Sequence, residues 1–202
     1  DQNLILLDEA TVYNASHLAG FVSVFNGDAI KDVKLIKGGM PAEYGGRLSS
    51  VLDITMNDGN MKKYEAEGGI GLLSSRLTIQ GPIKKDTASF IMSYRRFYMG
   101  DIAQPFISDS SKFKGSNYYF YDLNAKLNWI LSDKDRIYLS GYLGEDVFKF
   151  NNSKDGFGMS SPSGNAIASL RWNHLFSDKL FLNTSVNYTR YQFELGLEQD
   201  QF

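Results

Sequence analysis

The residues of this chain that could do chemistry are charged side chains, most of them at alternate positions of long patterned segments. Six cations and three carboxylates stand out: Lys37, Arg47, Arg76, Arg95, Arg96 and Arg171, and Glu65, Glu67 and Asp122. Side chains two residues apart share one face of a β-strand, so charges from neighbouring strands can meet on a common face. The chemistry that this pattern offers is ion pairing, because a charge buried without its partner can cost about 3–5 kcal/mol.

Other kinds of functional site find little support in the sequence. The chain has no cysteine, which excludes disulfides, thiolate metal sites and cysteine nucleophiles. Its two histidines, His17 and His174, lie far apart and neither has a ligand-spaced neighbour, so we expect no metal site and no cofactor. No Ser/His/Asp set, phosphate loop or dinucleotide fingerprint is evident, and we expect no enzyme. The net charge of −2 gives no reason to expect nucleic acid as a partner.

The segment "YYFYDLNAKLNWILS", residues 118–132, indicates which element would position these charges. One face carries Asp122, Asn124, Lys126 and Asn128, and the other carries Tyr121, Leu123, Ala125, Leu127, Trp129 and Leu131. The alternation lasts about twice as long as an ordinary strand of 5–6 residues. Tyr119 and Trp129 would lie roughly 23 Å apart along the normal of a bilayer, at about 3.3 Å per residue and a tilt near 45°. This is close to the apolar band of about 25 Å in transmembrane β-barrels.

Seven strands of this kind are predicted, at about 64–72, 75–82, 87–98, 119–132, 136–149, 165–177 and 180–194. Tight polar turns alternate with two long loops, about 20 residues from Gly100 to Tyr119 and about 15 from Asn151 to Asn165. Short turns on one rim and long loops on the other are typical of outer-membrane barrels. We therefore predict that residues 63–202 form a partial transmembrane antiparallel β-barrel whose apolar face meets outer-membrane lipid. The charges expected to face its lumen are Glu65, Glu67, Arg76, Arg95, Asp122, Lys126 and Arg171.

Residues 1–62 have a different texture, with short apolar runs separated by glycine-rich breaks. The runs "VKLI" and "SVLDITM" predict short strands. Asn26 or Asp28 is expected to cap one helical turn through Ile30–Val33. The pattern indicates a compact mixed α+β unit.

Residues 11–59 resemble the end of the plug domain of TonB-dependent outer-membrane transporters, most closely the Bacteroidetes type. The segments that carry the resemblance are Asp28–Leu35, Lys37-Gly38-Gly39, Tyr44-Gly45-Gly46-Arg47 and Val51–Thr55, followed by the barrel-like stretches "GLLSSRLTIQGPIKKDTASFIMSYRRFY", "YYFYDLNAKLN" and "SLRWNHLFSDKLF". Two departures are that Lys37 stands where the family usually has Arg, and Gly39 where it has Pro. The ending "RLSSVLDI" also differs from that of the glycan-importing branch, which argues against polysaccharide uptake.

The resemblance implies that residues 1–62 are the C-terminal part of a plug domain and that residues 63–202 are the first strands of a 22-strand barrel. We therefore expect the chain to be a piece of a longer protein. Its implied function is active import of a scarce nutrient across the outer membrane of a Gram-negative cell, driven by a TonB-type energy-coupling protein. The imported ligand, and a surface lipoprotein over the mouth, are left open. The residues expected to form the plug turn and latch are Lys37, Gly38, Gly39, Tyr44, Gly45, Gly46 and Arg47, with plug cations pairing with barrel carboxylates.

Two other interpretations stay open at this point. A passive or structural outer-membrane barrel, such as a porin, adhesin or scaffold, would need no TonB-binding segment. A soluble β-sandwich or carbohydrate-binding module would bury Leu123, Leu127, Leu170 and Val186 together and would leave Asn124 and Asn187 in solvent. The segment "DSSKFKGSNYYFYD" could either contact a ligand from the outer face or be a solvated loop.

Overall fold

A computed structural model describes residues 3–109, 111–152 and 157–199, and two β-sheets account for most of them. We call residues 3–64 the N-terminal unit. Its strands are β1 (Asn3–Leu7), β2 (Ala10–Thr11), β3 (Ser16–His17), β4 (Val22–Ser23), β5 (Ile30–Lys37) and β6 (Ser50–Met56). A four-stranded sheet has the order β2-β1-β6-β5, in which only β1 and β6 are parallel, and β3 and β4 form a separate hairpin.

The predicted strands of the N-terminal unit are confirmed, whereas the predicted helical turn is misplaced. "VKLI" lies within β5, and "SVLDITM" coincides with β6. The turn is a 3-10 turn at Gly27–Ala29, and the Asn26 side chain caps it by accepting a hydrogen bond from Asp28 N at 3.2 Å. Ile30–Val33 is extended because it pairs with β6, where Val33 lies opposite Ile54. The ladder with β6 thus overrides any continuation of the turn.

The second sheet, which we call the large sheet, is an antiparallel meander. Its strands are β7 (Glu65–Ile70), β8 (Ser74–Lys84), β9 (Ala88–Phe97), β10 (Asn117–Ile130), β11 (Asp135–Asn152), β12 (Phe157–Ser177) and β13 (Leu180–Phe193). Each strand pairs with the next, and β14 (Gly196–Gln199) pairs with the start of β12. All seven strands predicted from residue 64 onward are confirmed, with shifts at their ends.

The connection between β9 and β10 is long, as predicted. It contains the helix α1 (Met99–Ala103) and a 3-10 turn at Gln104–Phe106, and residue 110 within it lies outside the described residues. Within the described ranges, no helix has the length and apolar character needed to cross a bilayer.

The prediction of a loop at residues 151–165 is wrong. The ladder between β11 and β12 runs from Asp135 opposite His174 as far as Asn152 opposite Phe157. The Gly- and Ser-rich stretch that begins β12 has a loop-like composition, but it extends because β11 and β14 offer it backbone partners on both sides. Residues 153–156, also part of the predicted loop, lie outside the described residues.

The outer face of the large sheet is a continuous apolar surface. The strand register places Phe90, Leu127, Leu139, Leu170 and Val186 in one row, and Trp129, Ile137 and Trp172 in the next. Leu127 is 43% exposed, Leu170 46% and Val186 67%, whereas Asn124 on the opposite face is 1% exposed. A soluble sandwich predicts the reverse for these four residues, so they contradict that interpretation, whereas Asn187 is exposed as a sandwich predicts.

The inner face of the large sheet packs on the N-terminal unit. Tyr142 and Ile167 of the large sheet join Leu7, Ile54 and Met56 in one buried apolar cluster. Polar and charged inner-face residues surround this cluster and are buried as well. The large sheet thus has an apolar outer face and a largely polar inner face, the reverse of a soluble protein, as the alternating segments predict.

Candidate functional site

The candidate site is the interface between the N-terminal unit and the inner face of the large sheet. Three tight turns of the unit make most of its polar contacts, and we call them anchor turns. The first is Asp8–Glu9, the second begins at His17 and continues as the 3-10 turn Leu18–Gly20, and the third is Asn26–Asp28. Asp8 has a φ of 46° and Glu9 one of 71°, values that suit the tight two-residue turn between β1 and β2.

At the first anchor turn, a buried lysine lies between two carboxylates. The side chain of Lys126 is 0% exposed, and its Nζ lies 3.1 Å from an oxygen of Asp8, 3.1 Å from one of Asp58 and 2.9 Å from Met56 O. Burial raises the pKa of Asp58, but the charge of Lys126 and the hydrogen bond from Lys31 outweigh it and hold the pKa below 3.8. The two lysines therefore stabilise the ionised form of Asp58.

Glu9, at the tip of the same turn, is held by polar groups of β12 and β13. Its carboxylate accepts hydrogen bonds from Arg171 Nη1 at 3.1 Å, from Asn183 at 3.3 Å and from the Ser185 hydroxyl, and its carbonyl accepts one from Asn187 at 3.2 Å. Burial raises the pKa of Glu9, yet the hydrogen bonds from Ser185 and Arg171 prevail and lower it. The turn is thus fixed at several points by the large sheet.

At the second anchor turn, His17 lies between two aspartates. Its Nδ1 is 2.6 Å from Asp146 Oδ2, its Nε2 is 2.7 Å from Asp122 Oδ1, and its ring stacks on Phe120 at 4.0 Å. The residue is 2% exposed. Burial by itself lowers the pKa of His17, but the hydrogen bonds and charges of Asp122 and Asp146 outweigh it and raise the pKa above 6.5. The arrangement favours the imidazolium.

Further groups on β9 and β11 complete the surroundings of Asp122. Arg95 Nε donates to Asp122 Oδ2 at 2.8 Å and its Nη2 donates to Ser23 O at 2.7 Å, which ties β4 to the sheet. The Tyr142 hydroxyl donates to Asp122 Oδ1 at 2.7 Å. A Cβ at Gly144 would overlap this hydroxyl, so the glycine makes the hydrogen bond sterically feasible.

Tyr118 links Asp146 to the backbone of the anchor turn. Its hydroxyl donates to Asp146 and accepts a hydrogen bond from Leu18 N at 2.7 Å. Leu18 has a φ of 50°, an uncommon value for a branched residue that is compensated by this contact. We call the following set the histidine cluster: His17, Arg95, Tyr118, Asp122, Tyr142 and Asp146.

The third anchor turn makes hydrogen bonds with side-chain hydroxyl groups of the large sheet and one partly exposed ion pair. Asn26 Nδ2 donates to Ser93 Oγ at 2.6 Å, and Thr78 Oγ1 donates to Asp28 at 3.3 Å. Arg76 pairs with Asp28, but the arginine side chain is 45% exposed. This contact is therefore weaker than those of the two buried cations.

Of the seven charges expected to face the lumen, six contact the N-terminal unit: Glu65, Arg76, Arg95, Asp122, Lys126 and Arg171. Glu65 pairs with Lys63 at 2.7 Å, just before β7, and accepts from Gln80 at 3.1 Å within the large sheet, while Glu67 lies 3.5 Å from Arg76. Arg96 lies above the ring of Tyr119 at 4.8 Å. The lumen-facing assignment of the seven stays a prediction for the whole barrel.

The polarity of the ion pairs mostly opposes the expectation that plug cations meet barrel carboxylates. At the first and third anchor turns the carboxylates Asp8, Glu9 and Asp28 belong to the N-terminal unit, and the large sheet supplies the cations. The reason is local, because Asp and Asn are favoured in tight turns and tolerate a positive φ. Among the three anchor turns, His17 is the group with the expected polarity, and outside them the exposed pair of Lys63 with Glu65 shares it.

The seven residues expected to form the plug turn and latch lie in the segment between β5 and β6, with Lys37 at the end of β5. Gly38, Gly39 and Gly46 have positive φ values of 68°, 53° and 78°, which glycine adopts without strain. Gly45 does not have a positive φ. Tyr44 donates to Asp53 at 3.1 Å, and Arg47 donates to Gly46 O at 2.9 Å. Burial and the charge of Asp53 raise the pKa of Tyr44. These contacts stay within the N-terminal unit, and the latch role stays a prediction.

Sequence reasoning missed His17, Asp8, Asp28 and Asp146 as interface residues. Asp122 and Asp146 are 105 and 129 positions from His17, so spacing gives no signal for that cluster. The pair Asp8–Glu9 between two apolar runs is a turn signal that could have been used. In the described ranges, no group of three His, Cys, Asp or Glu side chains has the geometry of a metal site.

A cavity of about 690 Å³ lies beside the second anchor turn. Phe21 of the N-terminal unit and Tyr118, Phe148, Tyr191 and Phe193 of the large sheet supply most of its aromatic wall. Ser16, Asp146 and Ser163 add polar groups to the lining. The cavity can therefore accommodate part of a small molecule that has both aromatic and polar groups.

Solved structures with a similar fold are siderophore receptors. The siderophore receptor PirA from Acinetobacter baumannii matches with a TM-score of 0.50 and 13% identity over 96% of this chain. A double mutant of the ferric enterobactin receptor PfeA from Pseudomonas aeruginosa matches with a TM-score of 0.51 and 14% identity over 96% of this chain. The chain spans 37% and 38% of the lengths of those two receptors. No protein-family model and no curated protein sequence matches it.

These likenesses bear on the fold, since identities of 13–14% are too low to carry function across. They confirm the predicted fold class and the resemblance to TonB-dependent receptors, while the Bacteroidetes type stays a prediction. Over its described residues, the chain has a fold similar to part of these two receptors, in which a small mixed sheet packs on the inner face of an antiparallel meander.

Proposed function

We propose that the whole protein imports a scarce nutrient across the outer membrane of a Gram-negative cell, gated by a plug and driven by a TonB-type energy-coupling protein. The N-terminal unit is the end of that plug, with a domain boundary near residue 62. The outer face of the large sheet meets outer-membrane lipid. The chain performs no covalent chemistry in this function.

The observation that carries the proposal is the polar character of the interface between the N-terminal unit and the inner face of the large sheet. Buried ion pairs are often no more stabilising than apolar groups of the same shape, so a permanent support does not need them. Polar contacts can instead be exchanged for contacts with water when one part moves against the other. The inner face of the large sheet carries Lys126, Asp122 and Arg171. Such a polar face suits an N-terminal unit that first binds to the sheet and is later released from it.

Ferric siderophores are the first ligand class to test, because PirA and PfeA are siderophore receptors. The aromatic and polar lining of the cavity near Phe21 and Tyr191 is compatible with such ligands. A surface lipoprotein over the mouth is a further partner that the same experiment can include.

The test is uptake of radiolabelled ferric siderophores by cells that express the full-length protein. We expect accumulation above that of cells without the protein, and we expect it to be lost when the TonB-type protein is deleted or a protonophore is added. Uptake that persists without energy coupling supports the passive-barrel alternative and contradicts the proposal. Absence of uptake for siderophores, cobalamin, peptides and oligosaccharides alike supports the structural alternative.

The latch role of the segment around Tyr44 and Arg47 is tested separately. We expect Arg47→Ala in the full-length protein to raise the leak conductance of the outer membrane and the sensitivity to large antibiotics. Wild-type conductance and sensitivity would contradict the latch role without affecting the import proposal.

A further inference from the structure

The β3–β4 hairpin, residues 16–23, is held to the large sheet by the histidine cluster. His17 is the ionisable group of the N-terminal unit whose ordinary titration range lies nearest to neutral pH. It contacts two strands at once, β10 through Asp122 and β11 through Asp146. No other anchor turn places its cation on the N-terminal unit within the described ion pairs.

The geometry requires both ring nitrogens of His17 to donate. Each nitrogen faces a carboxylate oxygen, at 2.6 and 2.7 Å, and an ionised carboxylate only accepts hydrogen bonds. A neutral imidazole carries one N–H and would leave the other nitrogen facing an acceptor. Both contacts are satisfied together only by the imidazolium.

The charged and titratable groups around His17 come from three strands. They are Arg95 on β9, Asp122 and Tyr118 on β10, and Asp146 and Tyr142 on β11. With an imidazolium, the charges of His17 and Arg95 balance those of the two aspartates. With a neutral imidazole, a negative charge remains in a buried site, which is unfavourable.

We propose that His17 is a positioning residue for import, which as the imidazolium holds the β3–β4 hairpin on the large sheet and releases it when the proton is lost or either aspartate contact is broken. The release step rests on the proposed function, since it matters only if the plug moves. The holding step stands on the geometry alone. Leu18 N and Ser23 O, which also contact the large sheet, lie in the same hairpin and are released with it.

The protonation state is tested directly by ¹⁵N nuclear magnetic resonance of the full-length protein labelled at histidine. The signals of His17 are assigned by their loss in His17→Gln. We expect both ring nitrogens to be protonated at pH 7 and the pKa of the ring to lie above the ordinary histidine value of 6.5. A His17 ring with one unprotonated nitrogen at pH 7 would overturn the proposal, and the protonation state is read on the wild-type protein, with His17→Gln used only for the assignment.

The holding role is tested by amide hydrogen exchange in peptides that cover residues 14–24 of the full-length protein. We expect His17→Gln to speed exchange there about 10- to 100-fold, as expected when charge-assisted hydrogen bonds are lost. The matched control is His174→Gln, which removes the other histidine–aspartate contact, with Asp135 at 2.7 Å. We expect the control to leave this hairpin unchanged, and unaltered protection of β10 and β11 in both variants shows that the sheet is folded.

A pH series separates titration from simple packing. After correction for intrinsic exchange rates, we expect protection of the wild-type hairpin to be lost as the pH rises, and that of His17→Gln to be independent of pH. Equal exchange in wild type and His17→Gln at every pH would overturn the holding role.

Uptake measurements distinguish this inference from the import proposal. If uptake does not depend on energy coupling while the exchange results hold, import fails and the holding role stands. If uptake depends on energy coupling but is unchanged in rate and pH profile by His17→Gln, the release role is overturned and import stands.

Discussion

The first and second anchor turns bury a cation between two carboxylates, but in opposite directions. At the first, Lys126 belongs to the large sheet and Asp8 and Asp58 to the N-terminal unit. At the second, His17 belongs to the N-terminal unit and its two aspartates to the large sheet. The choice of cation also differs, since the ordinary pKa of a histidine side chain lies near neutral pH and that of a lysine side chain does not. The same electrostatic arrangement thus gives two contacts that are expected to respond to pH in opposite directions.

The largest effect is expected from Lys126→Met, which removes the buried cation of the first anchor turn. Asp8 would remain buried without a cation and Asp58 would keep only Lys31, so we expect the unfolding free energy of the N-terminal unit to fall by about 3–5 kcal/mol. Pulse proteolysis of the full-length protein in urea measures this loss. Lys31→Met is the control, because Lys31 contacts Asp58 at 3.0 Å with a side chain that is 55% exposed. We expect it to cost no more than about 1 kcal/mol, and equal costs would contradict the comparison.

A smaller effect, with a distinct pH dependence, is expected from His17→Gln. At pH 6 we expect a loss of about 2–3 kcal/mol, since hydrogen bonds to charged groups are removed. Because the pKa of His17 is raised in the folded protein, its contribution is complete below the unfolded value near 6.5 and is lost as the pH rises through the folded value. The same proteolysis assay from pH 5 to 9 should show the two proteins converge at high pH. A constant difference would mean that the contact is not titrating.

The first anchor turn should respond to pH in the opposite direction. The pKa of Asp58 is lowered in the folded protein, so its contribution is complete above the ordinary value of 3.8 and is lost as the pH falls through the folded value. We therefore expect the difference between wild type and Lys126→Met to shrink in acid. A difference that stays constant as the pH falls through the folded pKa of Asp58 would contradict this assignment.

Gly144→Ala sharpens the comparison by weakening the second anchor turn without altering a charge. The new Cβ would overlap the Tyr142 hydroxyl and displace it from Asp122, and we expect a cost of about 1–2 kcal/mol. Gly141→Ala on the same strand is the control, since its Cβ would make an ordinary contact of 3.4 Å with Ile167 O. Thermal unfolding of the two variants is the measurement, and equal midpoints would contradict the steric argument.

The smallest effect is expected at the third anchor turn. Arg76→Gln removes a partly exposed ion pair with Asp28, and we expect a cost of at most about 1 kcal/mol that decreases with added salt. Urea unfolding at low and high salt measures it. A loss as large as that of Lys126→Met would show that exposure does not set the order of the three contacts.

The outer face of the large sheet could be predicted from the sequence, and the partners on the inner face could not. The exposure of Leu127 and Trp129 follows from the alternation of side chains along a strand, which we call strand parity: every second side chain lies on the same face of the sheet. Parity also placed Asp122 and Lys126 on the inner face. It does not say which distant residue meets them, and the contact between Asp122 and His17 joins positions 105 apart.

The error at residues 151–165 has a related cause. The composition of this stretch favours a loop over a strand, because Ser160, Ser163 and Gly164 are residues typical of loops. In the structure these residues pair with β11 as regularly as Leu170 does further along the same strand. Backbone pairing, which composition does not encode, set the length of β12.

The length of β12 has a consequence for the solvents that it meets. Its 21 residues would extend about 70 Å, or about 50 Å along the normal at a tilt of 45°, which is twice the thickness of an apolar band of about 25 Å. If Leu170 and Trp172 lie in hydrocarbon, as the import proposal implies, the half that begins at Phe157 extends into water between β11 on one edge and β13 and β14 on the other. The change from serine and glycine to leucine and tryptophan along β12 would then mark the boundary between water and hydrocarbon.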